Sequence, residues 1–153
     1  MEPLITILGA GNWFVAPDRV GPKVLEMITG RYGPEVESHD IGVGGLAILD
    51  YFVGQSLLVV VDACLRGGKP GEIFRLEPPL SESCPVPASV HQIGPVDALQ
   101  IGMIFKKESR PQRILVLAVE TGEADDETVT RACREVVSIL DREVHQTLRS
   151  FGN

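Results

Sequence analysis

The chain predicts an α/β fold: three layers, with a mostly parallel twisted sheet of about five strands, one of them antiparallel, and helices on both faces. Three observations lead there. Short continuous apolar runs, Leu4–Leu8 and Leu57–Val61, have the length and solid hydrophobicity of strands buried on both faces. Stretches with apolar residues at helical spacing separate those runs, and alternation of the two patterns builds parallel sheets. Glycine-rich turns, Gly9-Ala10-Gly11 and Gly42-Val43-Gly44-Gly45, punctuate the transitions.

Leu4 to Leu8 is the first strand, feeding the Gly-Ala-Gly turn. From Asp18 to about Arg31, Val20, Val24, Leu25 and Ile28 mark one face of a helix, with Pro22 in the first turn where a missing N–H costs nothing. Glu35 to Asp40 is the second strand. Gly42 to Gly45 then opens a helix carrying Leu46, Leu49 and Phe52 that stops at Gly54. Ser56 to Ala63 reads as a central strand, Gly67 to Gly71 as a turn, and Glu72 to Leu76 as an edge strand by its alternation. Glu77 to Val90, rich in proline and serine, is a long surface loop of the kind that often carries function. A helix from about Pro95 to Lys106 and a strand from Arg113 to Val119 follow. The last helix runs from about Asp126 to Leu148, capped by Asp125 or Asp126, with Val129, Cys133, Val136, Val137, Leu140, Val144 and Leu148 facing inward. The order β-α-β-α-β-β-α-β-α gives helices on both faces of the sheet and a hairpin-connected antiparallel strand. No internal repeat or boundary interrupts residues 1–153, which are expected to form a single domain.

Composition narrows the function. With 153 residues, 44% hydrophobic and 23% charged, the chain reads as an ordinary soluble globular protein. A net charge of −7 argues against a nucleic-acid partner, which calls for a basic stripe. No apolar stretch approaches the roughly 20 residues needed to span a bilayer, so no membrane insertion is expected. Met1-Glu2-Pro3 lacks the basic start of a signal peptide. Cys64, Cys84 and Cys133 are odd in number and form no CxxC pair. Neither a disulfide framework nor a structural zinc site is indicated, and a cytoplasmic location is expected.

Three polar residues stand out against this background. Asp18 opens the first helix, Asp62 ends the apolar run Leu57–Val61, and His91 sits in the loop Ser89-Val90-His91-Gln92-Ile93-Gly94. In an open α/β sheet, ligands bind in the crevice outside the carboxyl ends of the strands, where such residues converge. Asp18 in a first helical turn is also explained by the helix dipole, and His91 by capping or exposure. Asp62 is harder to explain so, because an acid straight after an apolar strand must be paired, hydrogen-bonded or bound to a cation. Together the three form a carboxylate–imidazole set suited to zinc, nickel, manganese or cadmium, and the two acids alone could share a proton as an acid–base dyad.

Other motifs are excluded. Phe14 stands where a dinucleotide fingerprint needs its third small residue, and no Gly-Lys-Ser/Thr follows Gly42-Val43-Gly44-Gly45. There is no nucleophile elbow. His39 in a strand and His145 on the long helix are structural, and Cys64 is read as a small packing residue.

The ordered set Gly9-Ala10-Gly11-Asn12, Asp18 with Gly21, Val61-Asp62-Ala63, Pro70-Gly71, His91-Gln92-Ile93-Gly94 and Asp97-Ala98-Leu99 resembles the hydrogenase maturation endopeptidases, which process nickel-iron hydrogenases. The resemblance spans nearly the whole chain. It implies that Asp18, Asp62 and His91 are the catalytic and metal-contacting residues. It further implies that the substrate is the precursor of the hydrogenase large subunit, which loses a short C-terminal extension after nickel insertion. Nickel then arrives in the precursor and is not a permanently held cofactor, and the enzyme acts as a monomer. Three departures bear on substrate recognition. Pro17 replaces the first of two consecutive acids, with Arg19 where a small residue is usual. Asp40-Ile41-Gly42-Val43 replaces an Asp-Gly-Gly-Thr loop. The Glu120–Glu123 segment is short. Two other readings stand beside the protease: a non-catalytic, nickel-dependent binding or chaperone module of the same fold, and a small hydrolase with an Asp18–Asp62 dyad.

Overall fold

In the computed structural model, which describes residues 3–78 and 94–151, the apolar runs become one five-stranded sheet in the order β2-β1-β3-β5-β4. The strands are β1 (Ile5–Ala10), β2 (Val36–Gly42), β3 (Leu57–Cys64), β4 (Ile73–Leu76) and β5 (Ile114–Glu120). Pairing is parallel between β1 and β2, β1 and β3, and β3 and β5, whereas β4 runs antiparallel to β5. The helices are α1 (Val20–Met27), α2 (Pro95–Phe105) and α3 (Asp126–Arg149).

Strand alternation divides the core. Ile5, Ile7, Val59, Val61, Leu115 and Leu117 point to the face covered by α1 and α3. Leu8, Leu58, Val60 and Val116 point to the other face, where Ala98 and Leu99 of α2 cover them with Ile48 and Phe52. Every residue from Leu57 to Val61 is fully buried, as a central strand covered on both faces requires. Each such side chain contributes roughly 1.5–3 kcal/mol of burial energy. On α3 the inner face is the expected one, with Cys133, Val136 and Leu140 completely buried. The Asp125 carboxylate caps that helix by accepting the Thr128 N–H at 2.8 Å, an interaction of about 1 kcal/mol.

Five expectations are corrected. The first helix begins only at Val20 and ends at Met27, because Ala16–Asp18 forms a separate 3₁₀ turn ahead of it. The helix expected from Gly42 is a 3₁₀ helix, Gly45–Tyr51. β2 extends through Gly42, whose N–H is taken by the Asp40 carboxylate at 2.8 Å, so the chain leaves the strand in a side-chain-closed turn. β3 runs to Cys64, one residue beyond the expected Ala63, with Asp62 opposite Ala118 of β5. The antiparallel strand is not hairpin-joined to its partner, since β5 occupies the flank of β3 and leaves β4 to pair on the far side of β5. Most of the expected Glu77–Val90 loop lies outside the described residues.

The connections reverse direction at β1. From β1 the chain moves outward to β2, then crosses back to place β3 on the other side of β1. The switch point of the sheet therefore lies between the carboxyl ends of β1 and β3, where such a fold leaves a crevice.

Candidate active site at the switch point

Asp18 reaches the crevice because the segment after β1 folds back on itself. Gly11 has φ +132°, and a Cβ there would lie 2.1 Å from the Asp18 carbonyl oxygen. Only glycine permits that contact. Asn12 donates its N–H both to the Asp18 carbonyl and to Asp18 Oδ2, each at 3.0 Å. The Asn12 side chain accepts the Phe14 N–H at 2.9 Å, and Asp18 donates its own N–H to the Val15 carbonyl at 2.8 Å. Gly21 completes the setting. A Cβ on it would come within 2.2 Å of the Ala10 carbonyl oxygen, so α1 starts directly against the end of β1. Arg19 stands between Asp18 and α1, whose first turn holds no acid. The helix-dipole explanation of Asp18 therefore fails, and its carboxylate instead organises a loop at the sheet edge.

Asp62 is carried by β3, on the same side of the strand as Leu58 and Val60. The Ala63 N–H donates to its Oδ1 at 2.8 Å. Burial pushes the Asp62 carboxyl up to about 7, against the lowering effect of the Ala63 N–H, and the charge of Asp18 pushes it further in the same direction. Asp18 is itself raised, by burial that outweighs its bond from Asn12. The two acids thus sit at neighbouring strand ends and feel one another. His91 lies outside the described residues, which resume at Gly94 ahead of α2. Among the described residues no three His, Cys, Asp or Glu side chains form a metal-holding cluster.

His39 behaves as a structural residue, stacked on Tyr51 with ring centroids 4.8 Å apart and 3.2 Å from the Glu37 carboxylate.

One residue of this edge was missed by the sequence reading. Glu120 ends β5, is only 2% exposed, and accepts the N–H groups of Arg66 and Gly68 at 2.8 Å and of Gly122 at 3.1 Å. Burial works to raise its carboxyl, but the N–H groups of Gly68, Arg66, Gly122 and Gly67 outweigh it and hold the group below its ordinary range. The signal was present. Ile114 to Val119 is an apolar run ending on an acid, the same pattern that singles out Asp62.

Residues 22–150 match the family model of the hydrogenase maturation protease HycI. The chain belongs to the hydrogenase maturation protease family. Asp62 and His91 fall within the matched span, and Asp18 lies four residues before its start. Among curated relatives of this family member, the hydrogenase expression/formation protein HupD of Thiocapsa roseopersicina is 27% identical over 132 residues, 82% of this chain and 58% of that protein. The chain therefore spans little more than half the length of that relative. Solved structures agree on the fold. The hydrogenase maturating endopeptidase HybD from Escherichia coli superposes with a TM-score of 0.66 at 22% identity, covering 91% of this chain and 93% of that one. The [NiFe] hydrogenase maturation protease HycI from Thermococcus kodakarensis gives 0.68 at 20% identity, covering 89% and 88%. A second Escherichia coli endopeptidase gives 0.71 at 23% identity, covering 97% and 93%.

Proposed function

We propose that this maturation protease family member is an endopeptidase that removes the C-terminal extension of a nickel-iron hydrogenase large-subunit precursor after nickel insertion. The family match over residues 22–150 carries this reading. The acid pair at the switch point supports it, because two carboxylates on separate elements supply oxygen ligands while leaving coordination positions open. In this reading Asp18, Asp62 and His91 contact nickel that the precursor brings, a carboxylate–imidazole set appropriate to that ion. The ion is substrate cargo and holds the scissile peptide against the acids. The enzyme works as a monomer in the cytoplasm.

A polypeptide substrate also suits the rim of the crevice. Phe14 is 89% exposed and Leu65 67% exposed, on the segments following β1 and β3, with Trp13, Val15, Val43 and Leu46 also open to solvent. Adjacent strands lie about 4.8 Å apart, so the segments after β2, β1 and β3 place these apolar groups along one edge around the acids. Exposed apolar groups gathered around a polar centre suit a macromolecular partner better than a small molecule.

The raised Asp62 favours a second reading of the same chemistry. An acid still partly protonated near pH 7 beside an ionised one can act on the peptide directly, as a proton-sharing dyad.

Incubation with nickel-loaded precursor, followed by mass spectrometry, tests the proposal. Loss of the mass of the extension is the expected result. An intact precursor bound stoichiometrically to the protein would instead make it a binding or chaperone module.

A further inference from the structure

We propose that Glu120 is a positioning residue for the cleavage reaction: by binding the N–H groups of Arg66, Gly68 and Gly122 it holds the Leu65–Gly68 segment as the wall against which the precursor peptide lies beside Asp62. The inference rests on the endopeptidase reading above. Leu65 to Gly68 follows the last residue of β3 and so begins three residues after Asp62. Loops at the carboxyl ends of the strands bound the crevice in this architecture, and this one presents Leu65 at 67% exposure.

Several contacts tie the segment to the end of β5, and Glu120 is common to most of them. Its carboxylate takes the Arg66 and Gly68 N–H groups, both at 2.8 Å. Its carbonyl accepts the Gly71 N–H at 2.8 Å, and its own N–H donates to the Glu72 carbonyl at 2.8 Å. Thr121 donates its N–H to the Cys64 carbonyl at 3.1 Å, closing the other end. The Arg66 guanidinium lies over the Phe74 ring, 4.8 Å from its centroid, a further contact between the loop and β4. Gly122 lies beside Leu65, whose Cδ2 would be in ordinary van der Waals contact, 3.4 Å, with a Cβ placed there.

A buried carboxylate gathering backbone N–H groups acts as a molecular template for the loop around it, and a neutral amide of the same shape cannot. Arg66 and Gly68 share one carboxylate oxygen and Gly122 takes the other, so Gln, with a single oxygen, must set its NH₂ against one of these two sets of donors. The ladder pairing of Asp62 with Ala118 does not depend on that carboxylate. Loss of the charge therefore weakens the hold on the wall while leaving the acids in place.

Steady-state cleavage of nickel-loaded precursor by the wild type, Glu120→Gln and Glu120→Asp provides the test, with rates expressed per folded molecule. The expected result for Glu120→Gln is a KM raised about tenfold with kcat within about twofold of wild type, because a wall for the bound peptide contributes to binding more than to chemistry. Glu120→Asp, which keeps the charge on a shorter arm, should fall between the two, and it carries the test alone if Glu120→Gln does not fold. A KM equal to that of wild type in the folded variants, with any loss confined to kcat or to the folded fraction, overturns the inference and leaves the endopeptidase reading intact. A wild-type protein that cleaves no nickel-loaded precursor overturns the reading itself, and this inference with it.

Discussion

The charge of Asp18, held at the end of β1, reaches Asp62 on β3 and reinforces the burial that lifts the Asp62 carboxyl to about 7. Two separate chain reversals make that possible: the Gly11–Asp18 closure that returns Asp18 to the strand end, and the topological switch that sets β1 beside β3. A site of this kind stores electrostatic cost, since both groups would be more easily ionised in water.

That cost gives Asp62 a measurable signature. Its folded value lies above its ordinary 3.8, so the folded protein holds this proton more tightly than the unfolded chain does. The stability associated with the group is therefore full below about pH 4 and declines as pH rises toward 7, by at most roughly 4 kcal/mol. Asp62→Asn removes the ionisation. Metal-free Asp62→Asn should match the wild type at pH 3.5 and exceed it in urea midpoint at pH 8, while cleaving no precursor. Equal midpoints at pH 8 would show that the acid is solvated in the native state.

Asp18→Asn tests the coupling from the other side. Without the neighbouring charge the Asp62 carboxyl should titrate below 7, yet remain above its ordinary range because burial is the larger cause. Carbon-detected NMR titration of the Asp62 carboxyl in the metal-free protein reads this directly. An unmoved midpoint would mean the two acids do not share a site.

Much of this architecture is legible in the residues themselves. The strands follow from continuous apolar runs, and α3 from an apolar stripe sustained from Val129 to Leu148 behind an aspartate cap. Asp62 could be singled out because a charged group after Leu57–Val61 needs a physical reason to be there. What was missed is non-local. Nothing near Ile73–Leu76 says that β5, formed much later in the chain, is its partner, and nothing before Glu120 says that its carboxylate will gather the N–H groups of Arg66 and Gly68. The 3₁₀ helix at Gly45–Tyr51 keeps the apolar residues of the expected helix, but its tighter winding leaves Leu46 exposed while Phe52, which follows it, is buried. His91 lies outside the described residues.

Gly21 should tolerate no side chain. A methyl group there meets the Ala10 carbonyl oxygen at 2.2 Å and its nitrogen at 2.5 Å, both backbone atoms that cannot rotate away. Gly21→Ala must push α1 off the end of β1, and overpacking of this kind costs about 1–3 kcal/mol or more. The thermal midpoint should fall accordingly. Activity should fall further than stability at temperatures where the variant is folded, because the displaced helix carries the Asp18 turn with it.

Glu143 is a structural counterpart to the two candidate acids. Its side chain is 7% exposed and receives Arg75 and Arg113, each at 2.5 Å, bridging α3 to β4 and to the residue that precedes β5. The guanidinium groups hold its carboxyl below the ordinary range against the opposing effect of burial. Both arginines remain about 40% exposed and can turn to water. Glu143→Gln should therefore cost about 1–2 kcal/mol, below the usual loss for breaking a fully buried pair. Chemical denaturation measures it, and cleavage per folded molecule should not change.

Metal dependence separates a nickel-reading protease from an ordinary metalloprotease. If the precursor brings the ion, chelator treatment of the protease alone, followed by removal of the chelator, should leave cleavage of nickel-loaded precursor unchanged. Nickel-free precursor should resist cleavage. On that proposal the ion would tie the precursor to Asp18 and Asp62 at a defined place, and orienting a scissile bond against catalytic groups is worth several kcal/mol in rate. Without it the apolar rim around Phe14 and Leu65 can still hold the precursor, but the peptide lacks its anchor at the acids. Nickel-free precursor should then bind and inhibit competitively without being cut. Efficient cleavage of that precursor, or activity lost with chelation and restored only by adding metal to the protease, would place the ion in the enzyme and defeat the mechanism.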